Sequence, residues 1–510
     1  MQNRNARREF LRSAAAGGTL LGLGDFSFLA QLPPVSAAEA SLPAKKVRYR
    51  PEAEPMVTLL EQTPREKLLE TVAQKIKSGT SYREVLTGLL LAAVRNVEPR
   101  PSVGFKFHAV LVVNSAHLAS LSSADSDRWL PIFWAIDHLK AKQLEEEARN
   151  AWKMPAVDES AVPAAHRAHA AFANAMDQWD PAAADAAVAG LARTAGAAEV
   201  FELFYAYGAR DYRSIGHKAI FVANSQRTLA CIGWQHAEPV LRSLAYALQN
   251  HGGGPNPSAS DLDADRPWRK NQELAATIRP DWRHGIPDSG ATKELMAVLR
   301  RGSSDDACQL AVALLNRGVA PKSLWDAVFV GAGELLMRQP GIIGLHGLTT
   351  ANALHYAYLA TADDRTRQLL LLQNCAFLPM FRQSAQSRGN VANVSVDDLQ
   401  PVALAEASVP GGLEEIFADV SRDRMAAAAK TRALVNDVET ARQFIQTARR
   451  LIFLKGTNAH DYKFSSAVLE DYFHVSPEFR DQFLALGIFN LRGAGDRDNS
   501  LVQRTRAALA

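Results

Sequence analysis

Apolar residues recur along this chain at the spacing of an α-helix. Between Pro64 and Val97, leucine, isoleucine and valine fall three or four positions apart, so they share one helix face. The same spacing recurs in the ranges 129–152, 183–206, 217–248, 292–300, 306–316, 322–337, 346–361, 365–382, 412–454 and 462–474. No set of alternating strands accompanies it. The pattern predicts an all-α fold, a multi-helix bundle of α-hairpins.

One long interruption divides this helical pattern. Glycine and proline cluster from about 250 to 290, beginning with the run Gly252-Gly253-Gly254-Pro255-Asn256-Pro257. Such residues punctuate turns and loops, and loops of this length often carry function. We therefore predict a long, irregular loop insertion at about 250–290 that covers a site.

The N-terminus has the features of an export signal. Arg7-Arg8-Glu9-Phe10-Leu11 matches a twin-arginine motif, and small residues at 35–38 fit a cleavage site. The weakly apolar run between them, 13–29, is shorter than the roughly 20 residues of a membrane span. We predict a signal peptide over 1–40, which the twin-arginine export machinery recognises, and a mature domain over 41–510. After cleavage of the signal peptide, the mature protein is expected to be periplasmic or otherwise extracytoplasmic, with no stable membrane span. An uncleaved anchor or a chance arginine pair is the alternative.

The composition of the chain limits the classes of partner that the protein is expected to bind. Lys and Arg number 57 against 54 Asp and Glu, and the formal net charge is +3. No basic stripe stands out, which argues against nucleic-acid binding. The three cysteines lie far apart and form neither a disulfide framework nor a zinc knuckle.

Four of the thirteen histidines share a local pattern. His108, His217, His346 and His460 each follow a turn or a small residue and open an apolar helix. Cofactor sites in helical bundles are built from facing helices, and imidazole suits Fe, Zn, Cu or Ni. The pattern indicates a histidine cluster at helix N-termini, although each of these residues also fits an isolated capping or core histidine. Six others lie in polar or loop contexts and are expected to be solvated: His138, His166, His169, His251, His284 and His474.

Polar residues follow these histidines at helical spacing. Lys463 lies three residues after His460, on the same helix face. Its amine can bind a cation only when uncharged, and a carboxylated amine would supply an oxygen ligand; a solvated lysine is the alternative. Metal-bound histidines usually donate their other ring nitrogen to an outer partner. The candidates for that role are Asn114, His117, Asn224, Thr349, Thr350 and Asn352.

Short blocks around these residues resemble the questin oxidase-like family. Ala459-His460-Asp461-Tyr462-Lys463-Phe464 resembles its C-terminal His-x-x-Lys helix, and Leu345-His346-Gly347-Leu348-Thr349 resembles its His-x-x-Thr helix. The stretch 217–229 resembles its middle histidine helix, and His108 corresponds in order to its first histidine. The resemblance implies a helical, metal-dependent oxygenase acting on anthraquinone-like aromatic compounds. It also implies four histidine ligands, with Lys463 as a fifth.

The leading hypothesis is an exported non-haem oxygenase. It would use a divalent metal, Fe(II) by preference, with O2 and an aromatic or quinone-like small molecule as co-substrates, and Lys463 would also take part in catalysis. One alternative is a metal hydrolase, in which Asp461 or Glu202 would serve as the base beside an activated water. The other is a non-enzymatic helical scaffold protein of the cell envelope, although no fixed repeat period is present.

Overall fold

The structure is a computed structural model. It describes residues 47, 49–99, 108–249, 254–406 and 408–510. The twin-arginine motif and the predicted cleavage site lie outside these described residues. Residues 47–510 form one unit.

Within the described residues the chain forms 22 α-helices and no strand, which confirms the all-α prediction. The helices of the first half are α1 (Glu54–Gln62), α2 (Arg65–Lys77), α3 (Tyr82–Asn96), α4 (His108–Leu121), α5 (Leu130–Arg149), α6 (Ala165–Gln178), α7 (Pro181–Thr194), α8 (Ala197–Ala209), α9 (His217–Ile232) and α10 (Ala237–Gln249). Those of the second half are α11 (Arg266–Ala275), α12 (Ser289–Arg301), α13 (Ser304–Asn316), α14 (Pro321–Arg338), α15 (Ile342–Ala360), α16 (Asp364–Gln386), α17 (Val409–Val420), α18 (Arg424–Leu434), α19 (Val438–Lys455), α20 (Ala459–Asp471), α21 (Arg480–Gly487) and α22 (Leu501–Leu509). No helix among them is long and apolar enough to cross a membrane.

Four helices form a ring at the centre of this arrangement. Helix α4 contacts α9, α9 contacts α15, α15 contacts α20, and α20 returns to α4. Helices α4 and α15 are buried on nearly every side. Their residues are apolar around the whole helix, as expected of helices enclosed by other helices.

The four ring helices run in the same direction. Asn114, in the second turn of α4, donates to Asn224 at the same depth in α9, at 3.3 Å. Asn352 of α15 donates to Glu470, at a matching depth in α20, at 2.9 Å. Because residues at equal distances from the N-termini of neighbouring helices are in contact, the four N-termini lie at one end of the ring.

The described part of the range 250–290 is mostly irregular, but it also contains a helix and buried residues. Of its described part, Arg266–Ala275 is a helix, in which Pro267 occupies the first turn. Proline is tolerated there because that N–H has no helical partner, so it starts this helix instead of breaking it. Asn271 and Trp282 are buried, and Asn271 donates to Gln373 of α16 at 2.8 Å. These buried residues attach the described part of the range to the core, while most of its other residues are exposed or half-buried.

Candidate metal centre

All five predicted site residues lie in the first turns of the ring helices. His108 and His217 are the first residues of α4 and α9, and His346 is the fifth of α15. His460 and Lys463 are the second and fifth residues of α20. The predicted histidine cluster at helix N-termini is confirmed.

The side-chain nitrogens of four of these residues meet at one point. The Nε2 atom of His217 is 3.1 Å from Nε2 of His108 and 3.1 Å from Nε2 of His346. The amine nitrogen of Lys463 is 3.2 Å from Nε2 of His108 and 3.3 Å from Nε2 of His346. Two nitrogens bound at right angles to one metal, each about 2.1 Å away, are separated by about 3.0 Å. The spacing matches such a pair.

His460 completes a closed cycle of imidazole rings. Neighbouring ring centroids are 5.0 Å apart for His108–His217, 4.5 Å for His217–His346, 5.2 Å for His346–His460 and 4.6 Å for His460–His108. One ligand nitrogen from each of His108, His346 and His460 lies within 4.8 Å of the others. These three histidines are close enough to bind one metal ion.

Backbone hydrogen bonds determine the tautomers of two of these rings. Nδ1 of His217 is 2.7 Å from the carbonyl oxygen of Ser214, and Nδ1 of His346 is 2.6 Å from that of Ile342. A carbonyl oxygen only accepts, so both Nδ1 atoms carry the proton and both Nε2 atoms present a lone pair. Two lone pairs facing each other at 3.1 Å make no hydrogen bond between the neutral rings. A cation bound between them would satisfy both.

Burial keeps the histidines of the cluster uncharged. It lowers the pKa of His108, His217 and His346 well below the ordinary value, and the nearby Lys463 ammonium lowers each further. The same two effects lower the pKa of His460 to about 3. Burial lowers the pKa of Lys463 to about 7. Metal ligands must be unprotonated to bind, so these shifts favour metal binding near neutral pH.

Neither carboxylate that the hydrolase alternative requires serves as a free base. Asp461 caps α20, where it accepts from the backbone N–H of Thr457 and Asn458, and it also accepts from Arg492 at 2.7 Å. Glu202 accepts from the hydroxyl of Thr361 and from a backbone N–H, each at 2.6 Å. Among the described residues, the one group able to hold a metal contains histidines alone.

Four of the six predicted outer partners bond elsewhere. Asn114 and Asn224 bond to each other, Asn352 donates to Glu470 and Asp471, and Nδ1 of His117 lies 3.0 Å from the Tyr82 hydroxyl. The carbonyls of Ser214 and Ile342 orient His217 and His346 instead, which the sequence did not indicate. Every residue has a backbone carbonyl, so the residue types in the sequence do not indicate which carbonyl orients a histidine.

His138 also differs from its expected solvated state. Its ring stacks on Trp134 with centroids 4.9 Å apart, and burial lowers its pKa to about 4. It also contributes to lowering the pKa of His460. Its polar neighbours Asp137 and Lys140 are buried as well, so a polar context in the sequence did not indicate exposure to solvent.

A narrow cavity adjoins the cluster on the inner side of the ring. It has a volume of about 10 Å3 and is lined by Asn114, Asn224, Asn352, Lys463 and neighbouring residues. That volume holds about one water molecule, against roughly 300 Å3 or more for a typical small-molecule site. In this conformation the cavity is no larger than one water molecule, so an aromatic ring does not fit beside Lys463.

The turn before α9 adopts a strained backbone. Ile215 and Gly216 have φ angles of 45° and 80°, in the left-handed region. A β-branched residue is rare there, and costs on the order of 1–3 kcal/mol. A Cβ on Gly216 would lie 1.7 Å from Oγ1 of Thr350 on α15. Glycine at this position allows α9 to approach α15 closely enough for His217 to reach His346.

We expect Gly216→Ala to destabilise the protein by about 2–4 kcal/mol, since left-handed strain adds to a steric clash. Its measurement is the free energy of unfolding in urea. Gly79→Ala is the matched control, because Gly79 has a φ of 105° but open space around its missing side chain. Equal losses in the two variants would show that the Thr350 contact is unimportant.

Searches against protein-family models, curated proteins and solved structures found no match. The candidate metal centre is therefore defined by its own geometry: five convergent side chains at four helix N-termini.

Proposed function

We propose that this protein is an exported, metal-dependent oxygenase with its metal centre at the histidine cluster. The observation that carries the proposal is the contact between Nε2 of His217 and Nε2 of His346, at 3.1 Å with both lone pairs turned inward. Two buried lone pairs that face each other at this distance are costly unless a positive group lies near both of them. A scaffold protein would have no need of such a site.

The ligand chemistry favours a transition metal. Four of the five candidate ligands are histidines, and imidazole suits Fe, Zn, Cu or Ni, whereas Mg and Ca favour oxygen ligands. We propose Fe(II), which when bound supplies the electrons that activate O2. The resemblance of the His-x-x-Lys and His-x-x-Thr blocks to questin oxidase-like proteins supports the same choice.

Lys463 has two roles in this proposal. Its uncharged amine, held 3.2 and 3.3 Å from two histidine nitrogens, is a ligand either directly or after carboxylation to an oxygen donor. Four helix N-termini add positive potential at this end of the ring. An anionic carboxylated lysine would offset that potential and the charge of the metal, so we favour the carboxylated form.

The oxygenase is favoured over the hydrolase because a hydrolase needs a base beside the metal-bound water. Asp461 and Glu202 are the carboxylates considered for that role, and both already accept hydrogen bonds that stabilise a helix start or a loop. An oxygenase does not need such a base, and the small cavity beside Lys463 adjoins the proposed metal centre.

The substrate that we propose is an aromatic or quinone-like small molecule, in keeping with the family resemblance. The closed cavity requires a conformational opening before such a ring reaches the metal. Opening and closing steps of this kind commonly accompany substrate binding, and closure excludes water from the reaction.

The test is anaerobic loading with Fe(II), followed by metal analysis and O2 uptake with a panel of hydroxylated anthraquinones. We expect one iron per chain and substrate-dependent O2 uptake in the wild type. His346→Ala should lose both. His355→Ala is the matched control, since His355 is also buried but packs against Trp325 and His474 outside the cluster.

Two outcomes would contradict the proposal. One is a wild-type protein that binds no metal under these conditions. The other is a protein that retains zinc in preference to iron and hydrolyses esters or amides, which would revive the hydrolase.

A further inference from the structure

The turn that precedes His217 is held in place by residues outside the ring of four helices. It comprises residues 211–217 and contains the left-handed pair Ile215–Gly216. The Nδ1 and backbone N–H of His217 both point to the carbonyl oxygen of Ser214, at 2.7 and 3.0 Å. The direction of the imidazole therefore follows the conformation of this turn.

Two ion pairs enclose the turn, one on each side. Arg213 donates to both carboxylate oxygens of Asp265, at 2.8 and 2.5 Å, and their side chains are 1% and 0% exposed. Lys218 donates to Asp211 at 2.6 Å, with side chains equally buried. The second pair lies within the 211–218 segment, whereas the first connects the turn to a distant part of the chain.

Asp265 belongs to the segment between α10 and α11. The backbone of this segment also bonds to the turn, because the N–H of Tyr212 donates to the carbonyl of Ala264 at 3.0 Å. A bidentate arginine–carboxylate pair restricts orientation as well as distance. The segment thus provides two adjacent attachments to a turn whose backbone is strained.

We propose that Asp265 is a positioning residue for the metal ligand His217. Acting through Arg213, it holds the 211–217 turn in its left-handed conformation, so that Nε2 of His217 stays beside His108 and His346. The inference rests on the proposed metal centre, and it assigns a function to the 250–290 range that differs from covering a site. Loss of the pair would let the turn relax and withdraw His217 from the metal.

The test is a double-mutant cycle with Co2+ as the probe metal. Visible absorption of bound Co2+ reports both affinity and coordination. Replacing an outer partner of a metal ligand typically weakens metal binding about 10–100-fold, and we expect this range for Asp265→Asn. In a His217→Ala background the same substitution should change affinity by less than about twofold, because the ligand that Asp265 positions is gone and the effects of coupled residues are not additive.

Two further variants separate positioning from general stability. Arg213→Met combined with Asp265→Leu removes both charges and leaves none unpaired, an exchange that buried pairs often tolerate. It should keep the fold and still weaken Co2+ binding. Glu334→Gln is the matched control, since Glu334 forms a comparable bidentate pair with Arg300 remote from the turn. It should leave Co2+ affinity unchanged.

The outcomes are distinct. Wild-type Co2+ affinity in Asp265→Asn, or equal losses with and without His217, would overturn the positioning role while the metal centre stands. A wild-type protein that binds no Co2+ would overturn the metal centre and this inference together.

Discussion

Lys463→Met should stabilise the metal-free protein and abolish its metal binding. The unfolded chain protonates a lysine with a pKa near 10.4, whereas burial lowers the pKa of Lys463 to about 7. The difference corresponds to an unfavourable contribution on the order of 4 kcal/mol at neutral pH, since each pH unit is worth about 1.4 kcal/mol. Methionine fills a similar volume without the charge.

The measurement is the free energy of unfolding in urea at pH 7, with chelator present, alongside iron content after loading. Lys218→Met is the matched control. Lys218 is buried to the same extent, but it is paired with Asp211, so its removal leaves a buried carboxylate and should destabilise the protein by about 3–5 kcal/mol. If Lys463→Met is also destabilised, or retains full iron occupancy, Lys463 has a structural role and is not a ligand.

The metal-free protein should lose stability steeply below about pH 6.5. Burial lowers the pKa values of His108, His217 and His346 in the folded state, whereas the unfolded chain protonates histidines near pH 6.5. Below that pH the unfolded state binds more protons, so stability falls as pH falls. Each histidine lowers the free energy of unfolding by about 1.4 kcal/mol for each pH unit below 6.5. The three together lower it by about 4 kcal/mol per pH unit.

The measurement is the free energy of unfolding between pH 5 and 6.5. His346→Gln should reduce the slope of unfolding free energy against pH by the equivalent of about one proton, because one neutral imidazole has been removed. His284→Gln is the control, since this histidine lies at the end of the short turn 282–284 and is exposed. A flat profile in the wild type, or an unchanged slope in His346→Gln, would mean that these histidines are charged when folded.

The helical architecture was predictable because its signal is local. Apolar spacing of three and four residues fixes which side of a helix turns inward, and this is a property of neighbouring residues. The starts of α9 and α20 were predictable for the same reason. Gly216 and Asn458 precede His217 and His460 in sequence, and Asn458 caps α20.

The helix within the range 250–290 was not predicted because glycine and proline are read as loop formers. Pro267 instead occupies the first turn of α11, where its missing N–H costs nothing. Composition does not distinguish a proline that starts a helix from one that interrupts it. The difference depends on what the following residues pack against, here Gln373 of α16.

The sequence by itself determined that four histidines and Lys463 stand at the starts of apolar helices. Only the tertiary structure decided that these starts meet, that Ser214 and Ile342 orient two of the rings, and that Asp265 braces the turn before His217. The physical reason is distance along the chain. Helical periodicity specifies the face on which a side chain lies, but the partner of that face comes from residues more than a hundred positions away, such as His346 for His217.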